Sequence, residues 1–249
     1  MLLDSKVEKY NCIEFIKDDP VQFAHAFSEK KDIEIAALLA SVIAWGNRKM
    51  ILRSGQKMLF QLMEGRPYDY VMQGEWLLLD EVQNIHRTFF VRDLIYIFRG
   101  LQSFYTHKNS LEELFEGKNI WDGIAALRST LTDANNGLTT RHISNPIAVA
   151  GKQASACKRL HMMLRWLCRR DGIVDLGIWK NIDPSQLMIP LDVHVARISR
   201  QLGLIENKQN NRRTVEVLTA KLREFSPDDP VKYDFALFGI GVEGETIEM

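Results

Sequence analysis

Residues 154–204 decide the fold. They read ASACKRLHMMLRWLCRR over Ala154–Arg170, then a polar connector, then DPSQLMIPLDVHVARISRQLGL over Asp183–Leu204. In the first block Leu160, Met163, Leu164 and Leu167 recur at helical spacing, and Met162 and Trp166 widen that face. Ser155 is placed to cap this helix, which makes Lys158 its third residue. In the second block Asp192 caps a helix over VHVARISRQL, and Pro190 fixes the backbone that enters it. Two chemically useful side chains, Lys158 and Asp192, thus stand at two helix starts.

The flanking segments are helical too. Asp32 is expected to cap IEIAALLASVIAW, apolar all round and therefore interior, with Gly46 as its stop. Residues 5–18, Arg48–Glu64, the stretch around FFVRDLIYIFRGLQSFY, Asp122–Leu131 and Thr214–Phe225 follow the same period. Ser110 and Glu113 form a capping box, and Asp229-Pro230 launches a last apolar helix, VKYDFALFGIGV. Residues 132–153 are the least regular, with Asn135-Asn136-Gly137 and Asn145-Pro146 as turns. No strand alternation and no repeat is evident. The expected class is all-α.

Bulk properties narrow the function. The 249 residues carry 32 Lys+Arg against 32 Asp+Glu, which argues against a globally basic nucleic-acid coat. The charge is nevertheless uneven. Lys152, Lys158, Arg159, Arg165, Arg169 and Arg170 lie together with no acid among them. Arg169 and Arg170 suit the negative end of a helix and a solvated face, whereas the start of a helix welcomes an anion such as a phosphate. Three cysteines, Cys12, Cys157 and Cys168, are too few and scattered for a disulfide framework or a four-cysteine metal site. MLLDSKVEKY lacks the apolar run of a signal peptide, and no stretch reaches the length of a membrane span. A cytoplasmic, monomeric protein with no metal or cofactor is expected.

A lysine and an aspartate at helix starts are most simply a surface amine and a cap. They can also be an amine nucleophile and its carboxylate partner, provided the amine, ordinarily held at a pKa of about 10.4, sheds its proton. The combination CKRLHMML, then PLDVHVARISRQLGL, resembles the helix-hairpin-helix DNA glycosylase superfamily. The 34-residue separation of Lys158 and Asp192 is similar to that of the archaeal 8-oxoguanine DNA glycosylase branch. KRLHMMLRW, IPLDVHVAR and DPVKYDFALFG resemble more closely a bacterial family, common in Bacteroidetes, assigned to this superfamily. DIEIAALLAS and YDFALFGIGV extend the resemblance over roughly residues 32–242.

The resemblance implies two helical lobes, roughly 32–190 and 1–31 plus 191–249, with an active-site cleft between them. It implies base excision on damaged double-stranded DNA, with Lys158 as Schiff-base nucleophile and Asp192 as its acid–base partner. An oxidised purine such as 8-oxoguanine is the expected substrate, with abasic-site lyase activity alongside. Lys152, Ser155, Arg159, Arg165 and Arg197 would hold DNA. Trp45, Asn47, Arg48, Trp166, Asp234, Phe235 and Phe238 are candidates to line the base pocket. The alternative is a non-catalytic helical module that binds nucleic acid, through Arg165, Arg169, Arg197 and Arg200, or a protein partner. Three departures from the superfamily stand in the sequence. Lys152–Cys157 replaces the glycine-rich hairpin turn before the lysine, the cysteines of the endonuclease III iron–sulfur cluster are absent, and Ala40-Ser41-Val42 stands where some members carry an intercalating glutamine.

Overall fold

The computed structural model describes residues 2–244. They are predominantly helical, as the periodicity requires, and divide into two compact units. Residues 16–144 form one, and residues 1–15 with 145–249 form the other. This division differs from the lobes drawn at 31/32 and 190/191. It places residues 145–190, Lys158 among them, in the same unit as Asp192.

The middle unit is built on helix Lys30–Ile43, in which every residue from Ile33 to Ile43 is buried. That burial includes Glu34. Its carboxylate accepts from the Tyr105 hydroxyl at 2.8 Å, the Ser110 hydroxyl at 2.5 Å and the Leu111 amide at 3.0 Å. The Tyr105 hydroxyl is held well above its usual pKa, by burial first and by the Glu34 charge second. Glu34→Ala strands the Leu111 amide in the interior. We expect it to destabilise this unit by about 1–3 kcal/mol, read from urea unfolding midpoints; an unchanged midpoint would show the carboxylate to be dispensable.

Several boundaries differ from expectation. Residues 5–18 hold two helices, Leu2–Tyr10 and Ile13–Asp18, rather than one. Asp32 lies inside the Lys30 helix rather than capping it, and its carboxylate accepts the Tyr68 amide at 2.7 Å. The helix Arg48–Gln56 widens into a π turn over Lys57–Leu62, which lets Met58, Leu59 and Met63 all face the interior. A small antiparallel hairpin, Asn84–His86 with Phe89–Phe90, is an addition that no alternation announced. It is too short to show a period, and it is pinned by buried Ile85, His86 and Phe89. Helices Val91–Tyr105 and Ile120–Asp133 complete the unit.

The other unit packs around helix Tyr233–Glu243, the apolar segment at the end of the description. Leu2–Tyr10 and Val193–Gln201 lie against it. Two glycines make that possible. A Cβ on Gly239 would sit 2.3 Å from the Tyr10 ring, and one on Gly241 would sit 2.7 Å from His194 Cβ. Lys9 and Tyr10 both reach Glu243, at 2.6 and 2.7 Å, and the Tyr233 hydroxyl donates to Asp4 at 3.0 Å. Helices Lys158–Cys168 and Arg212–Phe225 complete this unit. Among the described residues no helix is long and apolar enough to cross a membrane.

Candidate active site

Lys158 opens its helix rather than standing in third place. The N-cap is Cys157, not Ser155. Cys157 is buried and left-handed at φ +46°, a conformation uncommon for a residue with a side chain. The Ser155 hydroxyl instead accepts the Cys157 amide at 3.2 Å and turns the chain into the helix. Backbone pairing of Ser155 with Asn211 and an Arg212 N–H bond to the Ala154 carbonyl at 3.2 Å hold that approach in place. Lys158 and Arg159 are half-buried there, and burial lowers the Arg159 pKa.

Asp192 is the N-cap of Val193–Gln201, as its sequence position requires. Its carboxylate accepts the Val195 amide at 2.8 Å, and the side chain stays half-exposed. Buried Pro190 and Leu191 lead into it.

Asp234 is the interior carboxyl that feels the charge at both helix starts. It lies in the first turn of Tyr233–Glu243, is buried, and pairs with Arg165 from the Lys158 helix. Burial pushes its pKa up to about 6. Arg165 opposes that rise, the Asp192 carboxylate adds to it, and Lys158 opposes it more weakly. One interior carboxyl therefore feels both Lys158 and Asp192.

Behind Asp234 runs a chain of buried charges. Arg165 also reaches Asp175 at 3.2 Å. Asp175 takes Arg169 at 3.0 Å, and Arg169 continues to Asp229 at 2.8 Å and to Asp171. Asn11 donates to Asp171 at 2.8 Å. Both guanidiniums lie over the Phe235 ring, at 4.2 and 5.4 Å from its centroid. Burial raises Asp175 although Arg165 and Arg169 both pull it down.

This network corrects three expectations. Arg165 is 4% exposed and committed to two carboxylates, so it is not available to hold a phosphate. Arg169 is likewise interior rather than part of a solvated face. Trp166 and Phe235, candidates for a base pocket, are core side chains at 0% and 1% exposure. Phe238 stays half-buried, edge-on to His194 at 5.9 Å. Lys152 is exposed, beside the tight turn where Val149 pairs with it. Arg197 is exposed but donates to the Gly241 carbonyl at 2.9 Å.

Trp45, Asn47 and Arg48 belong to the middle unit. Trp45 is half-buried beside His86 and His142. Asn47 caps the next helix by accepting the Met50 amide at 3.2 Å, and Arg48 is exposed.

Asp171 and Asp175 were missed by sequence reasoning, whereas Asp234 was named only as a base-pocket candidate. Asp171 and Asp175 follow Arg169-Arg170 at a spacing that could have signalled carboxylate partners for that basic end.

A family model described as "Protein of unknown function (DUF2400)" matches residues 19–243. The chain belongs to this family. The match takes in the Lys158 helix, the Asp192 cap and Asp234 together, so the whole cluster lies within the family's span. No curated protein and no solved structure matches the chain.

Proposed function

We propose that this family member is a DNA glycosylase with abasic-site lyase activity on an oxidised purine, of the two-lobed helix-hairpin-helix type. The observation that supports the reading is that the buried Asp234 carboxyl, paired with Arg165, feels the charges of both Lys158, at the first position of one helix, and Asp192, at the cap of another. The reaction needs an amine nucleophile next to carboxylates that can hold its proton and offset positive charge at the sugar.

In this reading Lys158 Nζ attacks C1′ of a nucleotide extruded from the duplex. The C1′–N bond breaks, and its electron pair leaves with the base. The ammonium proton passes to the Asp192 carboxylate and on to the departing base. The C1′–O4′ bond then opens, its electron pair going to O4′, which takes a proton from water, and an iminium is left between Nζ and C1′. Loss of a C2′ proton then expels the 3′ phosphate, and water hydrolyses the iminium to free the amine. Asp192 is held for this work by its bond to the Val195 amide, which fixes one carboxylate oxygen and leaves the other free of that bond. Asp234 keeps negative charge close by, in balance with Arg165.

Borohydride trapping tests the reading. Duplexes carrying an abasic site or 8-oxoguanine are mixed with the protein, reduced, and resolved for a covalent adduct. Wild type is expected to form it, and Lys158→Gln to lose it by at least about 100-fold with its melting temperature unchanged. Asp192→Asn is expected to slow it while retaining the cap. Absence of an adduct from folded wild type on the abasic duplex overturns the lyase. If alkali also reveals no base loss from the 8-oxoguanine duplex, the glycosylase on that substrate falls with it, and a non-catalytic helical module is left.

A further inference from the structure

The middle unit carries a second feature that the Lys158 cluster does not use. Arg87, at the tip of the small hairpin, is left-handed at φ +52° and exposed. Its guanidinium lies over the Trp45 ring, 4.9 Å from the centroid. It makes no hydrogen bond or ion pair among the described residues. The seat is shaped for it. Gly46 turns at φ +96°, and a Cβ there would fall 2.4 Å from Arg87 Nη1 and 3.0 Å from its Cδ. Only a residue without a side chain leaves room for the arginine to lie flat.

The indole beneath is itself fixed. His142 stacks on it at 6.1 Å, and His86 meets it edge-on at 5.5 Å. His86 is held in turn by Ser54 at 3.0 Å and by the Trp45 carbonyl at 2.9 Å. His142 is held by the Thr88 carbonyl at 2.9 Å. The indole is therefore braced by two histidines that are themselves hydrogen-bonded, and exposed cations lie near it along the chain. Arg48 and Lys49 follow Gly46 and Asn47 directly, and Arg141 reaches back to Thr88 beside Arg87. Asp80 and Glu81 lie at the opposite end of the hairpin from its tip, and the Asp93 carboxylate, 3.8 Å from His142 Nε2, is taken up by the Thr140 hydroxyl and the Phe90 amide. In a chain with equal numbers of acids and bases, exposed Arg87 on the Trp45 ring, exposed Arg141 reaching the adjacent Thr88, and exposed Arg48 and Lys49 just beyond Trp45 in the chain are a local departure.

We propose that Arg87 on Trp45, with Arg48, Lys49 and Arg141, is a phosphodiester-binding surface for the backbone of a nucleic acid. A guanidinium stacked on an indole keeps its N–H fork edge-on to solvent, with its geometry preset for a phosphate. Stacking also lowers the entropy lost when the contact forms. The neighbouring cations extend the contact along a polyanion rather than to one ion. The choice of nucleic acid rests on the function proposed above, and the test separates the two.

The test is a fluorescence-anisotropy titration of full-length protein with a labelled, undamaged duplex of about 20 base pairs, repeated across salt concentrations. Arg87→Ala is expected to weaken binding roughly 5- to 10-fold near 0.1 M salt and to reduce the slope of log K against log salt by about 0.9, the signature of one lost phosphate contact. Lys118→Ala, an exposed cation elsewhere in the same unit whose amine meets only the Leu114 carbonyl, is expected to bind as wild type. Near-ultraviolet circular dichroism checks folding of each variant. Equal binding by wild type and Arg87→Ala overturns the proposal, as does an equal loss in Arg87→Ala and Lys118→Ala, or no duplex binding at all. Arg87-dependent binding without borohydride trapping or alkali-revealed base loss sinks the glycosylase and keeps the surface. Trapping with Arg87-independent binding does the reverse.

Discussion

Arg165→Met is expected to destabilise the unit that contains it by about 3–5 kcal/mol at neutral pH, the range for removing one partner of a buried ion pair. Met matches the length of the arginine stem and keeps contact with Phe235, so lost packing contributes little. What remains is the stranded charge. Asp175 keeps Arg169, but Asp234 keeps only Lys158 to offset burial and the repulsion of Asp192. The double variant Arg165→Met with Asp234→Leu removes the charge as well as its partner, and it should recover most of the loss. Urea unfolding of the two singles and the double closes the cycle. A single-variant loss below about 1 kcal/mol, or a double no better than the single, would show that the interior tolerates the bare carboxylate.

The second large effect is in pH dependence. Asp234 holds its proton to about pH 6 in the folded chain, against 3.8 for an ordinary aspartate. The folded state therefore binds more protons than the unfolded one between those values, and its stability falls as pH rises through that window. Below about pH 4 the effect is absent; above about pH 6 it is complete, on the order of 2–3 kcal/mol against the folded state. Asp234→Asn removes the titration. The difference in unfolding free energy between wild type and variant should thus move in favour of wild type as pH is lowered from 7 to 4. Parallel profiles across that range would contradict the burial of an ionisable Asp234.

The two predictions concern residues whose importance the sequence showed unevenly. Asp192 was legible because a cap is a local matter. A carboxylate, a proline two residues ahead and an apolar period behind it fix the helix start, and the structure has it there. The Lys30 helix was legible for the same reason, since a segment apolar on every side has only the interior to occupy. Arg165 and Arg169 were misread because Asp234 and Asp229 lie 69 and 60 residues away, and the nearer partners, Asp171 and Asp175, follow only after the helix has ended. A window along the chain sees two arginines on a basic helix, whereas the fold sees two guanidiniums enclosed by four aspartates. The start of this helix was misplaced by two residues because Ser155 is the better cap by type. Pairing of Ser155 with Asn211 and the left-handed Cys157 override that preference. The Arg87 seat was hidden as well, since it joins Gly46 to a hairpin too short to show a period.

The packing of Leu2–Tyr10 against Tyr233–Glu243 has a consequence for the order in which the molecule is made. Helix Leu2–Tyr10 is synthesised more than two hundred residues before its seat between Gly239 and Glu243. At about 5–20 residues per second that interval lasts from roughly ten seconds to most of a minute. During it the whole of residues 16–144 is synthesised and free to fold on its own. Until then helix Leu2–Tyr10 lacks the partner it has in the folded unit, so this unit closes only once Tyr233–Glu243 has been made.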